Sequence, residues 1–226
     1  MSLVLAIMNK DNIFIGSDTA TSICKNNDVY RKDNNSQKLY MDKDKVIFCA
    51  GYNPLVKHVM NNYFKSSRTK EDLLHIIKNA KQNEVCKDIF LSYKTSMENT
   101  EIDNQYFVGS MVATFENGVP VLYGINSKDL IIEKYSLMGN SGISLYTLGM
   151  KDDECRNIAT DLLKSGIDVL ETYQRAFECV AYEGVGGNLQ IYHINKDNNI
   201  NFLANSPIRE KNISWIKEGS YNVSKR

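Results

Sequence analysis

Two short apolar runs divided by a polar tip constrain the front of this chain more than anything else in it. The first is Ser2-Leu-Val-Leu-Ala-Ile7 and the second is Asn12-Ile-Phe-Ile-Gly-Ser-Asp18, with Asn9-Lys10-Asp11-Asn12 between them. Runs of this length, rich in β-branched residues and punctuated by Asn and Asp, read as buried strands joined in a hairpin over residues 2–9 and 12–18. A hydroxyl residue directly follows the initiator Met, and an Asp ends the hairpin sixteen positions later.

The remaining pattern alternates strand groups with helix pairs. Residues 19–37 are polar and read as an irregular loop with a short strand near Val29-Tyr30. Lys38–Met41 and Val46–Ala50 form a second strand pair around Asp42-Lys43-Asp44, ended by Gly51. Asn53-Pro54 caps a helix with Pro at its first position, and Leu55, Val56, Val59, Met60 and Phe64 share its apolar face. Thr69 and Asp72 make an acidic variant of a capping box. The helix it opens carries Leu73, Leu74, Ile76, Ile77 and Ala80, with periodicity running on towards Tyr93. A polar loop covers 94–105. Tyr106–Phe115 and Val119–Gly124 then flank Asn117-Gly118, a strong hairpin signal. Leu130–Met138 is a further strand. Gly139-Asn-Ser-Gly142 is a tight turn leading to helical pattern, capped at Asp152 or Asp153, and Gly166 separates this helix from a second over Ile167–Tyr182. Asn188–Ile194 and Ile200–Leu203 close the chain as a hairpin, and the tail from about 207 is polar. The pattern is α+β in a single domain over 1–226.

Composition narrows the function classes. A chain of 226 residues can bury a substantial core, and its formal net charge of zero argues against a nucleic-acid or anionic-membrane partner. No apolar run approaches a membrane span, and Met1–Met8 lacks the basic leader of a signal peptide. Five cysteines at Cys24, Cys49, Cys86, Cys155 and Cys179 are odd in number and widely spaced, so they suggest neither a disulfide framework nor a metal site. Cys49 lies in an apolar strand and reads as core. A reduced, cytoplasmic setting is expected, and no metal or organic cofactor is indicated.

The chemistry concentrates at Ser2. Methionine removal is favoured before small residues, and Ser2 would then carry a free α-amine beside its own hydroxyl. An unperturbed α-amine has a pKa of about 7.7–8.0, so much of it is neutral near neutral pH. It can take the hydroxyl proton, directly or through a water, and Oγ can attack a carbonyl. The three histidines, His58, His75 and His193, form no recognisable triad pattern. An isolated Ser after Met means nothing; its register with Asp18 gives it weight.

Ser2, Asp18, Lys38 and Gly51, in that order, resemble the proteasome β-subunit family of N-terminal-nucleophile hydrolases, which includes the peptidase of the bacterial two-component protease. The resemblance spans roughly residues 2–205 and is specific in the front third. It implies a four-layer α-β-β-α sandwich and peptide-bond hydrolysis with Ser2 as nucleophile and its own amine as base. Lys38 would hold that amine in its basic form and stabilise the alkoxide, and Asp18 would fix Lys38. An ordinary surface salt bridge, worth about 0–1 kcal/mol, is the plainer reading of Asp18 and Lys38. Gly51 would supply an oxyanion N–H worth about 3–4 kcal/mol of barrier. Residues 19–22 would pair with an extended substrate. Ser141, in the Gly139–Gly142 turn, matches the family's additional serine with a one-residue shift. The family's Asp-x-x-Ser-Gly-Gly falls on Tyr182 to Gly187, so Tyr182 stands at the Asp and Val185 at the Ser, with Glu183 one place off. The resemblance further implies a peptide or unfolded-protein substrate, assembly of copies into a ring, and an unfoldase that feeds it. Two other classes fit the same residues: a catalytically silent structural or assembly subunit, argued from Tyr182 and Val185, and a small-amide hydrolase with a narrower pocket.

Overall fold

The opening strand is buried along its whole length. Leu3–Met8 (β1) has every side chain out of water, because its two faces meet two different layers. Leu3, Leu5 and Ile7 point to one apolar cluster, and Val4, Ala6 and Met8 to another. Such a strand reads as a continuous apolar run, not an alternating one. The computed structural model describes residues 2–25, 28–82, 108–126, 130–137, 142–182 and 184–209.

β1 pairs antiparallel with Asn12–Asp18 (β2), setting Val4 opposite Ser17 and Met8 opposite Ile13. Thr21–Lys25 (β3) and Asp28–Asp33 (β4) form a two-stranded ribbon where an irregular loop with one short strand was expected. Leu39–Asp42 (β5) and Lys45–Gly51 (β6) follow as a hairpin. Helices Asn53–Tyr63 (α1) and Lys70–Gln82 (α2) come next. The expected cap at Asn53 is not formed: Tyr52 is the N-cap and its side chain makes no capping bond, so Pro54 within the first turn is the local start signal. The Thr69–Asp72 capping box is present, each side chain meeting the other's backbone N–H at 3.0 Å. The extension of α2 towards Tyr93 and the loop over 94–105 lie outside the described residues.

Val108–Glu116 (β7) and Val119–Asn126 (β8) turn at Asn117-Gly118, both with positive φ, as the hairpin signal requires. Ile131–Tyr135 (β9) completes that run. Ser144–Gly149 (β10) is a strand where helical pattern was expected; it lies along β1, with Leu3 opposite Gly149. Asp152–Lys164 (α3) and Val169–Val180 (α4) follow. Neither Asp152 nor Asp153 caps α3; Lys151 does, in a left-handed conformation with no side-chain bond. Asp168 caps α4 properly, its Oδ1 accepting from Leu170 and Glu171 N–H. Asn188–Asn195 (β11) and Ile200–Pro207 (β12) form the last hairpin.

The strands make two antiparallel five-stranded sheets, ordered β10-β1-β2-β11-β12 and β5-β6-β7-β8-β9. One apolar cluster joins β1, β2, β11 and β10 residues such as Ala6, Ile15 and Tyr146 to Phe48, Met111 and Leu122 of the other sheet, so the sheets pack against each other. A second joins α1 and α2 to the outer face of β6–β8, and a third joins α3 and α4 to the outer face of β1 and β11. The molecule is α+β, with two antiparallel sheets and, among the described residues, four helices.

Candidate active site

The site forms where the strand register brings the start of β1 beside the end of β2. Asp18 is fully buried there. Its Oδ1 accepts the N–H of Leu3, the residue after Ser2, at 2.9 Å. Its Oδ2 accepts Lys38 Nζ at 2.8 Å, Ala20 N–H at 3.2 Å and Gly186 N–H at 3.3 Å. Lys38 is itself buried, just ahead of β5. The Asp18–Lys38 pair is therefore an internal ion pair, not the surface bridge that composition allowed, and charge-assisted bonds of this length are strong. A lone buried carboxylate or ammonium would be costly; together, with three backbone donors added, they neutralise and hydrogen-bond each other.

Ser2 is buried beside this pair and pinned from the other side of β1. Its carbonyl oxygen accepts Met150 N–H at 2.9 Å. Gly149 permits that contact: its φ is +121°, and a Cβ there would stand 2.1 Å from the Ser2 carbonyl oxygen. Gly51 ends β6 at the same end of the sheet as Lys38, whose carbonyl accepts Cys49 N–H at 2.9 Å. Gly51 also has a positive φ and is exposed.

The structure thus brings Ser2, Asp18 and Lys38 together, with Gly51 at the neighbouring strand end. Ser141 and Glu183 lie outside the described residues. In the segment 19–22, the Thr19 and Ala20 N–H groups already donate to Gly186 O, and Thr19 O accepts from Ser36 N–H. Thr21 lies in the ribbon with β4. Tyr182 falls beyond α4, not within it, and exchanges two backbone bonds with Val185 at 3.0 and 3.1 Å. Val185 is fully buried in the apolar cluster under α3 and α4, so an aliphatic side chain is what this position packs. Cys49 is core, as expected, and burial pushes its thiol up to about 12, leaving it protonated. Among the described residues no three His, Cys, Asp or Glu side chains stand together as a metal cluster, and no helix is long and apolar enough to cross a membrane.

Sequence reading missed the backbone donors from Ala20 and Gly186 and the support from Gly149 and Met150. The Gly186-Gly187 pair was a visible signal for the first; the alternation in Leu145-Tyr-Thr-Leu148 before Gly149 was the signal for the second.

No protein-family model matches the chain, and no curated protein matches it in sequence. Solved structures do share its fold. BPH from Thiobacillus denitrificans is 13% identical with a TM-score of 0.54, over 85% of this chain and 97% of that one. A mutant of Anbu from Hyphomicrobium sp. strain MC1 is 9% identical with a TM-score of 0.57, over 93% of this chain and 89% of that one. At these identities the likeness is one of fold.

Proposed function

We propose that this protein is an N-terminal-nucleophile peptidase on a four-layer α-β-β-α sandwich, with Ser2 as the reacting residue. The observation that carries the reading is the buried Asp18, which holds Lys38 Nζ at 2.8 Å and the N–H of Leu3 at 2.9 Å. A cation locked that close to the start of β1 has a structural purpose, the neutralisation of buried Asp18. Beside a terminal hydroxyl and amine it also has an electrostatic one. After Met1 removal, the Ser2 amine takes the hydroxyl proton as Oγ bonds to the scissile carbonyl carbon. The negative charge moves to the carbonyl oxygen, where Gly51 N–H donates. Collapse breaks the C–N bond, the amine's proton passes to the leaving nitrogen, and an ester on Oγ remains. Water, activated by the same amine, hydrolyses that ester and restores Ser2. Copies of the chain assemble into a ring that encloses Ser2, and an unfoldase delivers unfolded substrate.

The test is the intact mass of natively expressed protein, with and without a peptide-like electrophile that traps terminal hydroxyls, followed by native mass. Expected are loss of Met1, one adduct on Ser2, no adduct in Ser2→Ala, and an assembly well above the 25.7 kDa protomer. A retained Met1 with no adduct overturns the mechanism. It favours a second reading supported by its own observation: the Tyr182–Val185 bridge offers an aromatic and an aliphatic side chain where the resembling family has Asp and Ser. In that reading the protein is a silent structural or assembly subunit on the same fold.

A further inference from the structure

We propose that Lys151 and Tyr182 form a brace that positions Ser2 against the Asp18–Lys38 pair. Two supports hold the candidate site, and the α3–α4 pair separates them along the chain. The Gly149–Lys151 corner carries Ser2 through the Met150 N–H bond to its carbonyl. The Tyr182–Gly187 turn carries Asp18 through the Gly186 N–H, and its Gly186 carbonyl takes the Thr19 and Ala20 N–H groups. Among the described residues no strand pairing links those two supports directly. The side chain of Lys151 spans them: its Nζ lies 5.2 Å from the centroid of the Tyr182 ring, within cation–π reach.

Both residues are set up for that contact. Lys151 has a left-handed backbone, φ 56°, which turns it away from the strand direction at the entry to α3. Tyr182 is fixed by its paired backbone bonds to Val185, and its ring folds back over Gly184, where a Cβ would meet the phenol oxygen at 2.4 Å. Glu154 Oε2 also lies 3.7 Å from Lys151 Nζ, an exposed pair one turn into α3. The ring face, not the phenol hydroxyl, is the feature the brace uses. Tyr182 thereby keeps a task at the site although it cannot do what an Asp would. It acts through the position of Ser2, so both residues are positioning residues. The proposal rests on the reading of Ser2 as nucleophile.

The test compares Lys151→Met, Tyr182→Leu, the double variant, Tyr182→Phe and Glu154→Gln, with two readouts. One is the rate at which Ser2 is labelled by the electrophile; the other is hydrogen exchange of the peptide containing Met150. Lys151→Met and Tyr182→Leu should each slow labelling by about two- to fivefold, the range a partly exposed cation–π contact spans. The double variant should be no slower than either single one, and Met150 exchange should quicken in all three. Tyr182→Phe and Glu154→Gln should behave as the parent protein. Additive losses in the double variant overturn the brace, as does a Tyr182→Phe loss equal to that of Tyr182→Leu, which would place the role in the hydroxyl. Unlabelled parent protein refutes Ser2 as nucleophile, and Met150 exchange then decides the brace alone. Labelled parent protein with unchanged exchange in Lys151→Met refutes the brace alone.

Discussion

Asp18 is acceptor to four donors while wholly out of water, and this makes it the residue whose chemistry is least exchangeable. An amide in its place has one acceptor oxygen. If that oxygen stays on Leu3 N–H, the NH₂ group faces Lys38 Nζ, Ala20 N–H and Gly186 N–H, donor against donor. Turning the amide over only moves the conflict to Leu3. Asp18→Asn should therefore lose about 3–5 kcal/mol of unfolding free energy, the cost of breaking a buried ion pair from one side. Adding Lys38→Met removes the stranded cation and should recover part of the loss, because deleting both partners leaves less unpaired polarity than deleting one. Urea unfolding of the parent, the single and the double variant checks both statements. A single-variant loss below about 1 kcal/mol would class the pair with exposed bridges instead.

At the scale of elements, one of the α4 side chains packed on the first sheet also hydrogen-bonds to it. Tyr173 is fully buried, and its hydroxyl lies 2.9 Å from Leu5 O and 2.8 Å from Phe14 O, bridging β1 and β2 from the helix side. It lies flat over Gly16: a Cβ there would stand 2.6 Å and 2.7 Å from two of its ring carbons. Gly16→Ala must push the ring off the sheet and break a hydrogen bond that is anchored at both strands. The expected loss is about 1–3 kcal/mol, typical of overpacking, seen as a lower urea midpoint with unchanged slope. Ala at Gly16 with Tyr173→Phe should lose no more than the sum of the two, since both act on one contact. The Gly in this strand was visible in the sequence, but its reason was not, because Tyr173 is far along the chain. The same distance explains β10. Its partner β1 lies at the start of the chain, far from β10, so no local turn announced it, and Ser144–Gly149 is too short for periodicity to decide. β3 and β4 escaped for another reason: their polar sequences carry almost no apolar alternation. By contrast, β1, β2, β5–β8 and the last hairpin were legible, because adjacent runs with turn residues between them specify one another locally.

Over the whole molecule, the sequence marked the ends of the candidate site but not its interior. Ser2, Asp18 and Lys38 were singled out by the resemblance of their order to a known family's; the bonds from Ala20 and Gly186, and the contact of Met150 with Ser2, depend on how distant segments meet, which local pattern signals only weakly. His193 shows the same rule acting on stability. It sits on β11 opposite Phe14 of β2, with stacked rings 4.7 Å apart and Nε2 2.7 Å from Asn12 Oδ1. Partial burial lowers its pKa below the ordinary histidine value. The unfolded chain therefore binds a proton more readily than the folded one between the two values. Linkage then gives the sign: stability is full above the unfolded value of about 6.5 and falls as pH drops through the folded one. His193→Gln keeps a polar group for Asn12 but cannot titrate. Urea midpoints measured from pH 7.5 down to 5 should decline for the parent protein and decline less steeply for His193→Gln. Equal slopes would mean that the coupling between β2 and β11 does not depend on the charge of this ring, and that the acid sensitivity of the sheet lies with its carboxylates.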